Sequence, residues 1–322
     1  MKKIVVAPDS FKGSLTSAEV ADAVERGIKD VFPQCNVVKA GVADGGEGTV
    51  EAIVKAVGGD MYAASVTDPL GRPVKAAYGI VRSGGVKTAV MEMSAASGLP
   101  LLLPDELNPW ITSTYGTGEM ISDALNRGCR KFLVGIGGSA TNDAGTGMLS
   151  ALGVRFLDSS GQRLKGCGRD LEAIARIDMS SLMPAARESE FIVACDVNTP
   201  FCGPDGAARV FAPQKGADPQ TAEALDLGMR SFAQVIAEQF QTDIVPLSGA
   251  GAAGGLGGAF KAFLNARLTA GIEMVLDAIA FDSLLEGADL VITGEGRIDA
   301  QTAAGKTAAG VLRHAARKGI PV

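Results

Sequence analysis

The chain has few of the side chains that most often carry metal or nucleophilic catalysis. It is 322 residues long, and its single histidine is His314. A zinc site built on histidines and a Ser-His-Asp triad both need a histidine with partners, and no second histidine exists to share a zinc ion. The sequence therefore argues against both chemistries. Any catalysis must come from carboxylates, lysines and backbone dipoles.

Cysteine is also scarce and irregularly spaced. The five cysteines are Cys35, Cys129, Cys167, Cys195 and Cys202, and they form no C-x-x-C pair. An odd number argues against a complete disulfide framework, and the spacing argues against a structural zinc site. We expect reduced thiols in a reducing compartment.

Aromatic residues, excess positive charge and long apolar runs are lacking as well. Aromatics make up 5% of the chain, and the formal net charge is −6 at pH 7. Because nucleic acids attract positive surfaces and stack on aromatic rings, we expect no nucleic-acid partner. No apolar run approaches the roughly 20 residues that cross a bilayer, and the start MKKIVVAPDS reaches Asp9 too early for a signal peptide. These features predict a cytoplasmic protein without a membrane partner.

Glycine, in contrast, is abundant and clusters where apolar segments end. The chain has 42 glycines, and its length favours two α/β units. The stretch FLVGIGGSATNDAGTGML, residues 132–149, starts as a buried strand and continues into small residues. Glycines let backbone N–H groups approach a ligand, and helix N-termini favour anions. The candidate residues here are Gly137, Gly138, Ser139, Thr141, Asn142, Asp143, Gly145 and Gly147. The alternative is a tight turn in which Asn142 or Asp143 caps the next helix.

The N-terminal region predicts an alternation of strands and helices. Residues 2–7, KKIVVA, read as a short buried strand. Thr16 and Glu19 form a predicted capping box for a helix from about Ser17 to Asp30. A second strand is predicted over residues 36–40.

The loops after these two strands carry charged and small residues. The candidates are Asp9, Ser10, Lys12 and Ser14 in the first loop, and Asp44, Gly45, Gly46 and Glu47 in the second. Strand ends of this kind bind ligands in open α/β sheets, and the residue types suit a phosphate, magnesium or a substrate hydroxyl. The alternatives are a surface turn with a solvated Lys12, and a Glu47 that merely stabilises the helix dipole.

The middle of the chain follows a different pattern. Residues 61–93 read as three strands with tight connections at Gly71 and Gly84-Gly85. This meander differs from the preceding alternation, so we predict a domain boundary near Asp68. The predicted domains are residues 1–67 with 286–322, and an inserted domain of residues 68–285.

A predicted strand over residues 191–196 ends in a carboxylate, and a loop of about twenty residues follows it. A loop of that length favours function over connection. Asp196, Asn198, Arg209 and Lys215 combine charges that suit a small anionic substrate and a transferring phosphoryl group. The alternative is a structured surface loop in which Arg209 and Lys215 are solvated.

Two later segments partly match nucleotide-binding motifs. Gly249, Gly251 and Gly254 have the G-x-G-x-x-G spacing, but Pro246 interrupts the preceding strand and no strand with a ribose-binding acid follows. We expect this loop to pack on a nucleotide or a neighbouring helix, and residues 300–307 miss the P-loop spacing by one glycine. The stronger signal is a strand over residues 288–293 that leads into Gly294, Glu295, Gly296 and Asp299.

Together these motifs closely resemble those of the bacterial glycerate kinases, which transfer the γ-phosphoryl group of ATP to D-glycerate. The residues that carry the resemblance are PDSFKGS (8–14), ADGGEGT (43–49), TDPLGRPV (67–74), YGTGE (115–119), GIGGSATNDAGTGML (135–149), ACD (194–196), PQKGA (213–217), GAGAAGGLG (249–257) and ITGEGRID (292–299). The resemblance runs from end to end of the chain. It departs at VNTP (197–200), where Thr-Asn-Pro is expected, and this puts the role of Asn198 in question.

The resemblance implies a fold and a reaction. The fold is a two-domain α/β kinase, with a Rossmann-like (flavodoxin-like) domain and an inserted α/β domain around an active-site cleft. The implied cofactors are ATP and Mg²⁺, the implied substrate is D-glycerate, and a homo-oligomer is compatible with it. The implied product is 2-phosphoglycerate, with 3-phosphoglycerate as the alternative. Phosphoryl transfer needs positioning and charge stabilisation rather than histidine.

The resemblance also suggests roles for individual residues. Lys12 and Lys215 would stabilise the phosphoryl group, Asp196 would accept the glycerate proton, and Glu295 with Asp299 would bind Mg²⁺. Asp9 or Asp44 can exchange roles with Asp196. The residues expected to bind substrate or phosphate are Asp9, Ser10, Ser14, Asp44, Gly45, Gly46, Glu47, Gly137, Gly138, Ser139, Thr141, Asn142, Asp143, Arg209 and Gly294.

The sequence is compatible with two other functions, and its end resembles an interrupted strand. An NAD(P)-dependent hydroxy-acid dehydrogenase and a non-catalytic sugar-acid binding protein stay open as alternatives. The final residues, HAARKGIPV, repeat an earlier passage from a helix through a glycine into a strand, with Gly319 ending the helix and Pro321 starting the strand. We therefore expect this chain to be a C-terminally truncated form of a longer kinase.

Overall fold

Strands and helices alternate along most of the computed structural model, which describes residues 1–11, 13–83, 85–297 and 307–322. The strands are β1 (Lys3–Val6), β2 (Asn36–Lys39), β3 (Gly59–Thr67), β4 (Pro73–Ser83), β5 (Val86–Glu92), β6 (Lys131–Gly135), β7 (Arg155–Leu157), β8 (Arg176–Asp178), β9 (Glu190–Ala194), β10 (Arg267–Thr269) and β11 (Leu290–Ile292). The helices are α1 (Ser17–Val31), α2 (Thr49–Val57), α3 (Ser94–Ser97), α4 (Tyr115–Asn126), α5 (Thr146–Ala151), α6 (Pro184–Arg187), α7 (Ala207–Phe211), α8 (Pro219–Phe240), α9 (Ala252–Leu264), α10 (Gly271–Ala278), α11 (Phe281–Leu284) and α12 (Thr307–Arg317). The α/β class predicted from the sequence is confirmed.

The chain divides into two units, one formed by Met1–Asp60 with Thr269–Val322 and the other by Met61–Leu268. The predicted boundaries lay at 67/68 and 285/286. The first boundary falls earlier because β3 is hydrogen-bonded to β4 in the sheet of the second unit. The second also falls earlier because Gly271 of α10 lies against the backbone of Asp44, in the first unit.

The unit that contains both chain ends is built on a parallel sheet with the strand order β11-β1-β2. Ile4 and Val6 of β1 pack with Ala21 and Ile28 of α1 in a small core. The helix begins where the sequence predicts, because Thr16 and Glu19 form both hydrogen bonds of the capping box. Its amphipathic pattern turns the apolar residues toward the sheet.

The C-terminal helix α12 is held against α10 and α11 by the single histidine. His314 is buried, and its two ring nitrogens lie 2.7 Å from Asp282 Oδ1 and 3.0 Å from Glu273 Oε2. Burial lowers the pKa of His314, but the hydrogen bonds to Glu273 and Asp282 outweigh this effect and raise it above the ordinary value. After the helix, Gly319 has a φ of 67°, and the carbonyl of Pro321 accepts a hydrogen bond of 2.9 Å from the Val291 backbone N–H of β11.

The unit Met61–Leu268 is built on a six-stranded sheet with the order β10-β9-β6-β5-β4-β3. The predicted meander is confirmed, because β3, β4 and β5 are neighbours and β4 runs antiparallel to β5. The strands β5, β6 and β9 run parallel. Phe132 of β6 stacks on Phe191 of β9 with ring centroids 4.6 Å apart, and Phe260 of α9 packs beside Phe191. The small ribbon of β7 and β8 is antiparallel.

The segment after β9 differs from the prediction of a long irregular loop. Between residues 197 and 217 it contains α7 and a 3₁₀ helix over Pro213–Lys215. A five-residue helix is too short to show a 3.6-residue apolar period, so the sequence pattern did not reveal it. In the described parts of the chain, no helix is both long enough and apolar enough to cross a lipid bilayer.

Candidate active site

Just beyond the carboxyl end of β6, the exposed residues Gly137 and Gly138 form a rim in the unit Met61–Leu268. Gly135, the last residue of β6, pairs with Glu92 of β5 on one side and with Ala194 of β9 on the other. Open α/β sheets bind ligands outside the carboxyl ends of parallel strands. Gly137 and Gly138, which follow the strand after Ile136, are exposed, whereas residues 139–150 are buried.

Neighbouring backbone fixes the shape of this rim. The Leu99 N–H donates to the Gly138 carbonyl at 2.9 Å, and the Ala140 N–H donates to the Ser97 carbonyl at 3.0 Å. The Thr112 hydroxyl donates to the Ala140 carbonyl at 2.8 Å. Gly138 also has a φ of 71°, which an L side chain would adopt only with strain. The rim is therefore held in one shape by the protein itself.

Lys215 ends the 3₁₀ helix Pro213–Lys215, and its side chain contacts the segment that follows the rim. Its Nζ atom donates to Ser139 Oγ at 2.7 Å and to the Thr141 carbonyl at 2.6 Å. Only 1% of the residue is exposed, so the alternative of a solvated Lys215 is excluded. Burial lowers the pKa of Lys215 to about 7, and the charge of Asp143 opposes this shift. The structure thus brings together Lys215 and Ser139, two candidates that the sequence analysis had placed in separate segments and roles.

Asp143 joins the first turns of two helices. Its carboxylate accepts hydrogen bonds from the Thr114 N–H (2.7 Å) and hydroxyl (2.8 Å), before α4. It also accepts from the N–H groups of Gly145 (3.0 Å) and Gly147 (3.2 Å), at the start of α5. Burial raises the pKa of Asp143, and these four donors oppose the rise. Because protein donors occupy the carboxylate, the arrangement corresponds to the capping alternative.

The glycines of this stretch fall into two groups. Gly137 and Gly138 are exposed at the rim, as a ligand-binding turn requires. Gly145 and Gly147 instead direct their N–H groups to Asp143, and a methyl group at Gly145 would overlap Ala259. Gly145 is small because α5 and α9 approach closely there, and Gly147 is small because a methyl group would overlap Ser113 Oγ, ahead of α4.

Thr141 and Asn142 are completely buried beside Lys215. The Asn142 amide donates to Met229 Sδ at 3.3 Å. Thr141 Oγ1 and Asn142 Oδ1 have no hydrogen-bond partner among the residues that the structure describes. Burying a polar atom without a hydrogen bond costs free energy of folding. These two oxygens differ in this respect from the neighbouring polar groups, which are hydrogen-bonded.

Asp196 and Arg209 have different surroundings. Asp196 is exposed just beyond β9, and because Ala194 pairs with Gly135, Asp196 and Gly137 each lie two residues beyond that pair. Arg209 lies on α7, where its guanidinium is 3.7 Å from the carboxylates of Glu223 and Asp226 of α8. The structure thus places Asp196 beside the rim and engages Arg209 with α8.

Protein atoms fill the glycine loop at the start of α9. Methyl groups at Gly251 and Gly254 would overlap the carbonyl oxygens of Pro200 and Thr141. The Ala144 N–H also donates to the Gly254 carbonyl at 2.9 Å. This close packing explains the glycine spacing without a dinucleotide, in line with the expectation of a loop packed on neighbouring structure.

The other unit holds the remaining candidates at the ends of its three parallel strands. Asp9 follows β1, and its N–H donates to the Gly294 carbonyl after β11 at 2.8 Å. The Asp9 carboxylate accepts hydrogen bonds from the Ser10 N–H (2.7 Å) and the Thr307 hydroxyl (2.6 Å). Thr307 was not predicted as a site residue, although it ends the segment with the incomplete P-loop spacing.

The other residues of these loops range from buried Gly45 to exposed Ser14 and Glu47. Asp44 accepts a hydrogen bond of 3.1 Å from the Gly46 N–H, and Gly45 has a φ of 85°. Lys12 and Asp299 lie outside the described residues.

Glu295 is the remaining candidate for metal binding. Its Oε1 atom is buried and has no hydrogen-bond partner within the described ranges. No group of three His, Cys, Asp or Glu side chains that could hold a metal ion occurs in that part of the chain. Magnesium that accompanies a nucleotide is usually bound by one or two carboxylates together with phosphate oxygens and water. Glu295 and Asp9, whose segments are joined by the hydrogen bond from the Asp9 N–H to the Gly294 carbonyl, are candidates for that smaller requirement.

Comparisons with known proteins identify relatives over the whole chain. A family profile described as "Glycerate kinase family" matches residues 4–322. Glycerate kinase of Bacillus subtilis is 49% identical over 320 residues, which cover 99% of this chain and 83% of the relative. Glycerate 2-kinase of Escherichia coli is 46% identical over 320 residues, or 99% and 84% of the two chains. A crystal structure described as that of a glycerate kinase 2 from Salmonella typhimurium LT2 matches with a TM-score of 0.95 and 48% identity, and covers 100% of this chain and 85% of the other.

Proposed function

The chain belongs to the glycerate kinase family, and on that premise we propose that it transfers the γ-phosphoryl group of ATP to the 2-hydroxyl of D-glycerate. The products are ADP and 2-phosphoglycerate. The choice of hydroxyl is supported by the E. coli relative, which is named a glycerate 2-kinase.

One observation in the structure carries this proposal. The exposed carboxylate of Asp196 and the exposed backbone of Gly137 and Gly138 follow two adjacent parallel strands. Asp196 is proposed to accept the proton of the glycerate hydroxyl while the oxygen of that hydroxyl forms a bond to the γ-phosphorus. The bond from the γ-phosphorus to the bridging oxygen of ADP breaks in the same displacement. Positioned backbone donors at the rim would stabilise the negative oxygens.

Glu295 and Asp9 are the residues proposed to hold Mg²⁺. Both carboxylates lie at strand ends of one sheet, and Glu295 Oε1 is buried without a hydrogen-bond partner among the described residues. When bound, the ion would neutralise charge on the phosphate oxygens of ATP. The proposed roles of Lys12 in phosphoryl stabilisation and of Asp299 in metal binding stay predictions from the sequence.

The test is an assay of the purified chain with Mg·ATP and D-glycerate. ADP release is followed by a coupled reaction, and NMR of the product locates the phosphate on carbon 2 or carbon 3. L-Lactate, which lacks the 3-hydroxyl and has the opposite configuration at carbon 2, serves as the control acceptor and should give no turnover. Equal ATP consumption with and without glycerate would contradict the proposed function, and phosphate on carbon 3 would correct the position alone.

A further inference from the structure

We propose that Lys215 is a positioning residue that acts through Ser139. Lys215 donates to one acceptor site of Ser139 Oγ, and the Ser139 hydroxyl proton is thereby directed to an anionic oxygen bound at the rim of Gly137 and Gly138. The inference rests on the proposed function and deepens it, because it names the donor that receives the anion.

The direction of the hydrogen bond supports this assignment. A lysine ammonium has three donors and no acceptor. When Lys215 is protonated, Ser139 Oγ at 2.7 Å from its Nζ accepts, and the proton of the Ser139 hydroxyl stays available for another partner. Ser139 is 6% exposed and directly follows the exposed Gly138, so its hydroxyl lies where the buried cluster meets the rim.

The position of Lys215 argues against direct contact with a substrate. Two of its donors are used inside the protein, on Ser139 Oγ and the Thr141 carbonyl, and 1% of the residue is exposed. Burying an ammonium group is costly unless its contacts compensate. Both contacts hold the segment that follows β6, so what Lys215 fixes is the position and polarity of Ser139.

The anionic oxygen has two possible sources that share one chemistry. It belongs either to the carboxylate of glycerate or to a phosphate of ATP. Loss of the Ser139 hydroxyl raises the KM for glycerate in the first case and the KM for ATP in the second. An effect on kcat alone means that the hydrogen bond forms mainly in the transition state.

The experiment is a double-mutant cycle on the full chain with Ser139→Ala, Lys215→Met and the combined variant. We expect Ser139→Ala to lower kcat/KM by roughly 100-fold, as loss of one oxyanion donor does elsewhere. The kcat/KM of the combined variant should be no lower than that of the less active single variant, because Lys215 acts through the group that Ser139→Ala removes. Ser139→Thr, which keeps a hydroxyl, should recover most of the activity, and Ser159→Ala, at an exposed serine of the same unit, should match the wild type.

Each other outcome overturns the inference. Near-normal kcat/KM for Ser139→Ala shows that its hydroxyl does not receive the anion. If the fold-loss of kcat/KM in the combined variant equals the product of the two single fold-losses, Lys215 acts independently of Ser139. If Lys215→Met does not fold, the pair Ser139→Ala and Ser139→Thr still decides whether the hydroxyl is needed. Absence of glycerate turnover in the wild type overturns the proposed function itself, and a normal wild type with a normal Ser139→Ala overturns this inference alone.

Discussion

Asp143 and Asp196 both follow strands of the same sheet, but they differ in burial, and the difference favours different roles. Asp143 is buried and accepts four hydrogen bonds from protein donors. Asp196 is exposed at the rim beyond β9. A carboxylate that already accepts four protein hydrogen bonds is poorly placed to take a proton from a substrate. Of the two, we therefore propose Asp196 as the proton acceptor.

We predict that Asp196→Asn lowers kcat by roughly 100-fold or more, because a general base contributes about that factor to proton transfer. The amide has nearly the same shape but cannot accept the hydroxyl proton, so the KM for glycerate should change much less. Steady-state kinetics on both variants check this, with Asp205→Asn as the matched control at an exposed carboxylate of the same segment. A normal kcat for Asp196→Asn would move the base to Asp9 or Asp44.

Glu295→Gln tests the metal proposal at the residue scale. Replacing a carboxylate oxygen by an amide weakens a hard-cation site, so the Mg²⁺ concentration for half-maximal activity should rise several-fold. The measurement is a Mg²⁺ titration at fixed ATP, and Glu286→Gln at an exposed position is the control. An unchanged Mg²⁺ dependence would remove Glu295 from the proposed ligands.

At the scale of elements, the glycine loop at the start of α9 is a packing joint. Gly254 has a φ of 67°, and an added methyl group would overlap the Thr141 carbonyl. Gly161 has a φ of 84° but open space around its Cβ position. The two glycines thus separate backbone strain from steric overlap within the same unit.

We predict that Gly161→Ala costs about 1 kcal/mol of unfolding free energy, as expected for an L residue at positive φ. Gly254→Ala should cost about 1–3 kcal/mol more, because it adds overpacking to the same strain. Urea unfolding of both variants measures the difference. Equal losses would show that the loop yields to the methyl group, and the proposed packing role would then be wrong.

The elements that could be predicted are those whose signals are local. The Thr16 and Glu19 box lies within four residues, and the tight turns between β3, β4 and β5 show in the turn residues themselves. The short helix α7 gave no periodic signal. The contact of Lys215 with Ser139 joins residues 76 apart in sequence, and no local pattern distinguishes a buried lysine from a solvated one. The packing of Gly254 against the Thr141 carbonyl could not be predicted either, because the two residues are far apart in sequence and adjacent only in the folded chain.

At the scale of the whole molecule, the single histidine makes one identifiable contribution to the pH dependence of stability. The hydrogen bonds to Glu273 and Asp282 raise the pKa of His314 above its ordinary value of 6.5. A raised pKa in the folded state means that the protonated form favours folding. The stabilisation is complete below the unfolded pKa and is lost as the pH rises through the folded pKa.

We therefore predict that the melting temperature of the wild type falls relative to that of His314→Gln as the pH is raised above 6.5 and His314 loses its proton. His314→Gln should remove this part of the pH dependence, because glutamine does not titrate. Calorimetric scans of the two proteins in matched buffers make the comparison. A wild-type slope that persists unchanged in His314→Gln would assign the effect to other groups.

The scarcity of histidine and tryptophan has a practical consequence for spectroscopy. Trp110 is the single tryptophan and His314 the single histidine of the chain, and they belong to different units. Indole fluorescence therefore reports on the unit Met61–Leu268, while the imidazole proton resonance reports on the unit that contains both chain ends. One unlabelled sample in a denaturant series thus gives a separate unfolding curve for each unit, and coincident midpoints would identify the two as a single cooperative system.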